Sequence, residues 1–159
     1  MSLQERIQTD IATAMRGGDA LRRDVLRMAS SAAHYAEKRS GRPLTEDELL
    51  AVLSREVKTR RESVEAFRGG GREDLATKEE AEIAILSEYL PRPLTDSEIG
   101  ELVRQAIDAT GAASARDMGK VMGWLAPRTR ARADGKRVSE VVGQALAKAD
   151  LVAHDDGRH

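Results

Sequence analysis

Residues 45–71 read TEDELLAVLSREVKTRRESVEAFRGGG, and this stretch decides the fold. Thr45 followed three positions later by Glu48 is a capping box, in which each side chain satisfies a backbone N–H that the first helical turn leaves unpaired. Leu49, Val52, Leu53, Val57, Val64 and Phe67 then recur at the helical period, and Gly69-Gly70-Gly71 stops them. No alternation of the strand type competes with that pattern. The same grammar repeats on either side. Upstream, Ser2 and Glu5 open a helix carrying Leu3, Ile7, Ile11 and Met15 as far as Gly17-Gly18. Asp19 caps a second helix, with Leu21, Val25, Met28, Ala29, Ala32 and Ala36 on one face, ended by Gly41 and Pro43. Downstream, Leu75, Ile83, Leu86 and Leu90 mark a fourth helix, which Pro91-Arg92-Pro93 ends.

That proline pair is the expected domain boundary. Beyond it Thr95 and Glu98 form another capping box ahead of Ile99, Leu102, Val103, Ala106 and Ile107, and Gly111 closes the helix. Ser114 caps a short helix with Met118, Val121, Met122 and Leu125, ending near Pro127, and a last helix carries Val138, Val141, Val142, Ala145 and Leu146. No internal repeat and no low-complexity segment beyond the three glycines stands out. The expected class is all-α: an N-terminal long-helix domain over residues 1–91, a small C-terminal three-helix bundle over 94–149, and a disordered tail over 150–159.

Composition agrees with that class and limits function. Of 159 residues, 33% are charged and only 3% aromatic, and cysteine is absent, which excludes disulfides, thiolate catalysis and Cys-ligated zinc. With 26 basic and 27 acidic residues the net charge is -1, so any nucleic-acid contact must be a local patch. No apolar run approaches the roughly 20 residues of a membrane span. A cytoplasmic protein without membrane contact is expected.

One segment breaks the neutrality. Arg128, Arg130, Arg132, Lys136 and Arg137 cluster around Asp134, the only acid between Pro127 and Arg137. Asp134 and Gly135 suit a helix start, whose free N–H groups and dipole attract anions, so a phosphate backbone is the natural ligand. Lys120 extends the patch from the preceding helix. Trp124, at the edge of the apolar stripe, reads first as a core-rim residue and second as a stacking surface for a base. Gly119 reads as a close-packing position; Gly119-Lys120-Val121 lacks the spacing of a phosphate loop.

Other clusters read as scaffold. Arg55, Lys58, Arg60 and Arg61 interleave with Glu56, Glu62 and Glu65 as a solvated helix face; Arg22, Arg23 and Arg27 are similar, and Glu79, Glu80 and Glu82 read as helix surface. His34 has no second ligand at metal spacing, so no metal and no cofactor are expected. Ser30, Ser31 and Lys38 lie on one helix without a glycine-rich oxyanion loop, so no catalytic constellation is expected.

Leu53-Ser54-Arg55-Glu56-Val57-Lys58, Arg60 to Phe67, Glu88-Tyr89-Leu90-Pro91, and Asp117 to Met122 followed by Arg132 to Lys136 together resemble the GatB/YqeY family, from about Ser2 to Lys148. The most similar members are small free-standing bacterial proteins. The C-terminal part is similar to the tail domain of the B subunit of the tRNA-dependent Asp/Glu amidotransferase, which helps hold tRNA. The resemblance implies tRNA as partner, with Lys120, Arg128, Arg130, Arg132, Lys136 and Arg137 as contacts. The subunit's kinase-like transamidating region has no counterpart here, so an accessory without chemistry of its own is expected. Two alternatives stand beside it: an adaptor docking an aminoacyl-tRNA synthetase or amidotransferase subunit, and a participant in carbon–nitrogen ligation with glutamine as amide donor. Ala131 stands where the resemblance implies glycine in many relatives.

Overall fold

A computed structural model describes residues 1–156. It is all-α: α1 (Leu3–Gly17), α2 (Ala20–Ser40), α3 (Glu46–Gly69), α4 (Glu73–Ser87), α5 (Asp96–Thr110), a single 3-10 turn (Ala115–Asp117), α6 (Met118–Thr129) and α7 (Gly135–Asp156). The chain divides into two compact units, Met1–Pro91 and the part from Arg92 onward, each with its own apolar core.

The first unit is a pair of helical hairpins, α1 with α2 and α3 with α4. Leu26, Leu53 and Leu86 are fully buried at its centre. The expected stripes on α1 and α2 need correction. Met15, Leu21 and Met28 are exposed, while Ala14, Leu26 and Ala33 are inside. A strict every-fourth-residue run drifts about 40° around the helix per step, so Leu3, Ile7 and Ile11 face the core and Met15 has rotated away from it.

Three helix starts are held by complete capping boxes, Ser2 with Glu5, Thr45 with Glu48, and Thr95 with Glu98. Two of them belong to a longer repeated unit, contrary to the expectation of no internal repeat. Arg42-Pro43-Leu44-Thr45, with Glu48 and Leu49, recurs as Arg92-Pro93-Leu94-Thr95, with Glu98 and Ile99. The bonding recurs as well. Arg42 grips Glu48 through both Nη atoms at 2.7 and 3.0 Å, and Arg92 grips Glu98 at 2.9 and 2.9 Å. Each arginine also donates to the carbonyl of the following proline, at 3.2 and 3.3 Å. Leu44 and Leu94, one residue before the cap, pack into the first and second core respectively, in the position of a hydrophobic staple.

The basic stretch on α3 is only partly solvated. Arg60 is buried: its Nη1 bonds the Glu56 carboxylate at 2.8 Å and the Glu56 carbonyl at 3.1 Å, and its Nε faces Glu82 of α4 at 3.9 Å. Glu82 is therefore not a surface residue either. Burial first, and then repulsion by Glu79, pushes its carboxyl above the usual range, against the pull of Arg60. At the end of α4, Tyr89 is buried and donates to Asp10 of α1 at 2.5 Å, with the Arg6 guanidinium 4.5 Å from its ring centre. Its neighbour Glu88 receives a two-pronged grip from Arg22 of α2 at 2.6 and 3.1 Å. The Glu88-Tyr89 pair thus pins the end of α4 to both helices of the other hairpin.

The second unit packs α5, α6 and α7 around Val103, Val121, Leu125, Val142 and Leu146. Residues 150–156, expected within a disordered tail, are helical. α7 runs through Asp150 to Asp156, since no proline or glycine interrupts Ala145–Asp156. Residues 157–159 lie outside the described residues.

Removing Arg60 leaves a buried carboxylate uncompensated, so Arg60→Ala should cost about 3 kcal/mol, and Arg60→Met combined with Glu82→Leu, which removes that carboxylate too, clearly less, as a denaturant titration would measure. The twin capping units predict the acid limb. Glu48 and Glu98 are held down to about 2 from the usual 4.5, first by Arg42 and Arg92 and then by the capping N–H groups. Both bind fewer protons folded than unfolded, so their contribution is full above pH 4.5 and is lost as pH falls towards 2. The Glu48→Gln, Glu98→Gln double variant should show a flatter stability-versus-pH curve across that window in thermal melts.

Candidate nucleic-acid interface

The basic turn begins inside α6. The helix expected to end near Pro127 runs to Thr129. A proline removes one donor, and in a last turn the loss is confined to one bond; the Arg130 N–H still reaches the Ala126 carbonyl at 3.1 Å. The chain then reverses over Thr129, which is buried, and whose carbonyl accepts from the N–H groups of Arg132 and Ala133 at 2.9 and 3.0 Å. This reversal places Ala131 at φ +64°, the only non-glycine residue at positive φ among those described. A methyl side chain in that left-handed conformation is strained.

The six expected cations have different fates. Arg132 is half-buried and turns back onto its own unit, its Nε donating to the Arg92 carbonyl at 3.1 Å, while its carbonyl accepts from Leu94 at 2.8 Å. It is a brace for the start of α5. Arg137 lies between Asp96 at 3.3 Å and Glu140 at 3.7 Å. Lys120 lies 3.8 Å from Asp117, whose carboxyl is held below its usual range chiefly by the backbone N–H groups of Ala113 and Ser114. Arg128 is exposed and lies over the Trp124 ring at 3.6 Å from its centre, with Nη1 donating to the Trp124 carbonyl at 2.6 Å. Arg130 and Lys136 are exposed, and among the described residues Arg130 meets no side-chain partner.

The start of α7 differs from the expected open anion site. The Asp134 carboxylate already accepts from the Lys136 N–H at 3.1 Å, and its carbonyl accepts from Val138 at 3.0 Å, so Asp134 is itself the cap. A resident carboxylate thus meets one of the N–H groups at the start of α7 and brings negative charge to the positive end of the helix dipole. Trp124 is half-buried and packs against the second core, as a rim residue does. Gly119 is exposed and a Cβ there would meet nothing within 4 Å, so it does not serve close packing. Gly143 is the helix-facing glycine instead, with Met118 3.7 Å from where a Cβ would lie.

Sequence reasoning missed the braces: Arg132 on Arg92, Arg22 on Glu88, and Tyr89 on Asp10. Their only sequence signals were Glu88-Tyr89 at a helix end and an arginine inside the turn. The strain at Ala131 is directly measurable. Ala131→Gly should raise stability by about 1 kcal/mol despite the added freedom of the unfolded chain, seen as a higher unfolding midpoint.

A family model described as Yqey-like protein matches residues 4–146. Among curated proteins the chain is 32% identical over 146 residues to altered inheritance of mitochondria protein 41, mitochondrial, of Pyrenophora tritici-repentis, covering 87% of this chain and 80% of that one. It is 26% identical over 151 residues to the protein of the same name in Lachancea thermotolerans, covering 90% and 81%. A Schizosaccharomyces pombe protein is 35% identical over 91 residues, 57% of this chain and 73% of its own. Among the described residues no helix is long and apolar enough to cross a membrane.

Proposed function

The chain belongs to the YqeY-like protein family, and on that premise we propose that it is a tRNA-binding accessory protein that works through the turn between α6 and α7 without chemistry of its own. The observation that carries this reading is the projection of Arg128, Arg130 and Lys136 to solvent within one short segment of a near-neutral chain. Arg132 and Arg137 are committed to Arg92 and Asp96 and act as its frame. Phosphate neutralisation by such side chains releases counterions, so affinity should fall steeply with salt.

The test is binding of the whole chain to bulk tRNA and to DNA of similar length at low and moderate salt. A tRNA preference that weakens with salt is the expected result. Arg130→Ala with Lys136→Ala should lower the slope of log affinity against log salt by about 2 without loss of fold. An unchanged slope and affinity in that variant would remove the turn from the interface.

A specific observation favours a second reading, the protein adaptor. Leu21, Met28 and Tyr35 follow one another at seven-residue spacing on α2 and are 37%, 54% and 65% exposed. A synthetase or amidotransferase subunit docking there would bind in a salt-tolerant manner, and Met28→Asp would abolish it while leaving tRNA binding intact.

A further inference from the structure

We propose that the stacked pair Trp124–Arg128 is a platform for an unpaired nucleobase, so that the turn selects single-stranded or loop nucleotides over duplex. This deepens the RNA-binding reading above and rests on it. Trp124 is fixed from beneath by the second core. Arg128 covers its ring at 3.6 Å and is anchored by the 2.6 Å bond to the Trp124 carbonyl. The guanidinium plane is thereby held in place while the residue remains exposed.

A guanidinium is planar, weakly hydrated and offers a flat face for stacking, which a lysine ammonium does not. A nucleobase on that face adds one more layer to core, indole and guanidinium, with base contact and positive charge supplied by the same group. Bases inside a duplex have both faces occupied by their neighbours, so only unpaired bases can take the position. Arg130, two residues further on and exposed, is placed to meet the adjoining phosphate. An arginine four positions after a tryptophan also staples a helix, and that role alone would not need the guanidinium for ligand choice.

The experiment titrates the whole chain with an oligouridylate, an RNA duplex of equal length and inorganic polyphosphate. Affinity and the emission of the single tryptophan are followed for the wild type and for Arg128→Lys, Arg128→Ala and Arg130→Ala. The wild type should favour the oligouridylate over the duplex by about tenfold, and its emission should change with oligouridylate and not with polyphosphate. Arg128→Lys should lose that preference as fully as Arg128→Ala does, whereas Arg130→Ala should weaken both RNAs alike. If Arg128→Lys behaves as wild type, Arg128 acts as a charge only and the platform is overturned. Equal binding of all three polyanions by the wild type overturns the platform and leaves phosphate binding standing. No binding of any RNA overturns both.

Discussion

In a protein made only of helices, each helix start leaves four backbone N–H groups without partners, and the rest of this structure depends on how those donors are met. At α1, α2, α3, α5 and α7 carboxylates and hydroxyls a few residues away meet some of them, whereas α4 and α6 start without a side-chain cap. Thr45 with Glu48 and Thr95 with Glu98 do so in the same way, each strengthened by an arginine that grips the capping glutamate from the preceding turn. Because the same arginine also bonds the proline carbonyl, the path into α3 and the path into α5 are each held by contacts within a few residues of the helix start. Asp19 and Asp134 serve α2 and α7 more simply.

Once the starts are fixed, the few aromatic residues and the many charges are used to join helices. Arg22 with Glu88, Tyr89 with Asp10, and Arg60 with Glu82 join elements of the first unit, while Arg60 with Glu56 is a pair within α3. In the second unit Arg132 and Arg137 fasten the turn before α7 to the residues that open α5. A basic cluster that reads as uniform in sequence is therefore divided by the fold. Some of its arginines hold the turn in shape, and the remainder face outward.

Much of this was legible in the sequence. The three capping boxes, the stops at Gly41 and Gly111 and the stripes of α3, α5 and α7 are local signals, complete within a few residues, and the fold carries them as read. What the sequence did not disclose depends on distant partners. Arg60 and Glu82 look like surface residues until α3 and α4 are side by side, and Arg132 looks like a ligand contact until Arg92 lies against it. The repeated Arg-Pro-Leu-Thr unit was visible as letters, but its meaning lies in the arginine–glutamate grip, which only the structure displays. Periodicity failed in part on α1, where the every-fourth-residue run rotates out of the core by Met15, and on α2, where Leu26 and Ala33 are inside while Leu21 and Met28 are not.

The most direct test of the account is amide hydrogen exchange across the whole chain, with and without tRNA at low salt. If the turn is the interface, exchange slows only at the end of α6, in the turn and in the first turn of α7, roughly from Trp124 to Arg137, with α2 unchanged. Protection along Leu21 to Tyr35 with the turn unaffected would contradict it and place the interface on the first unit.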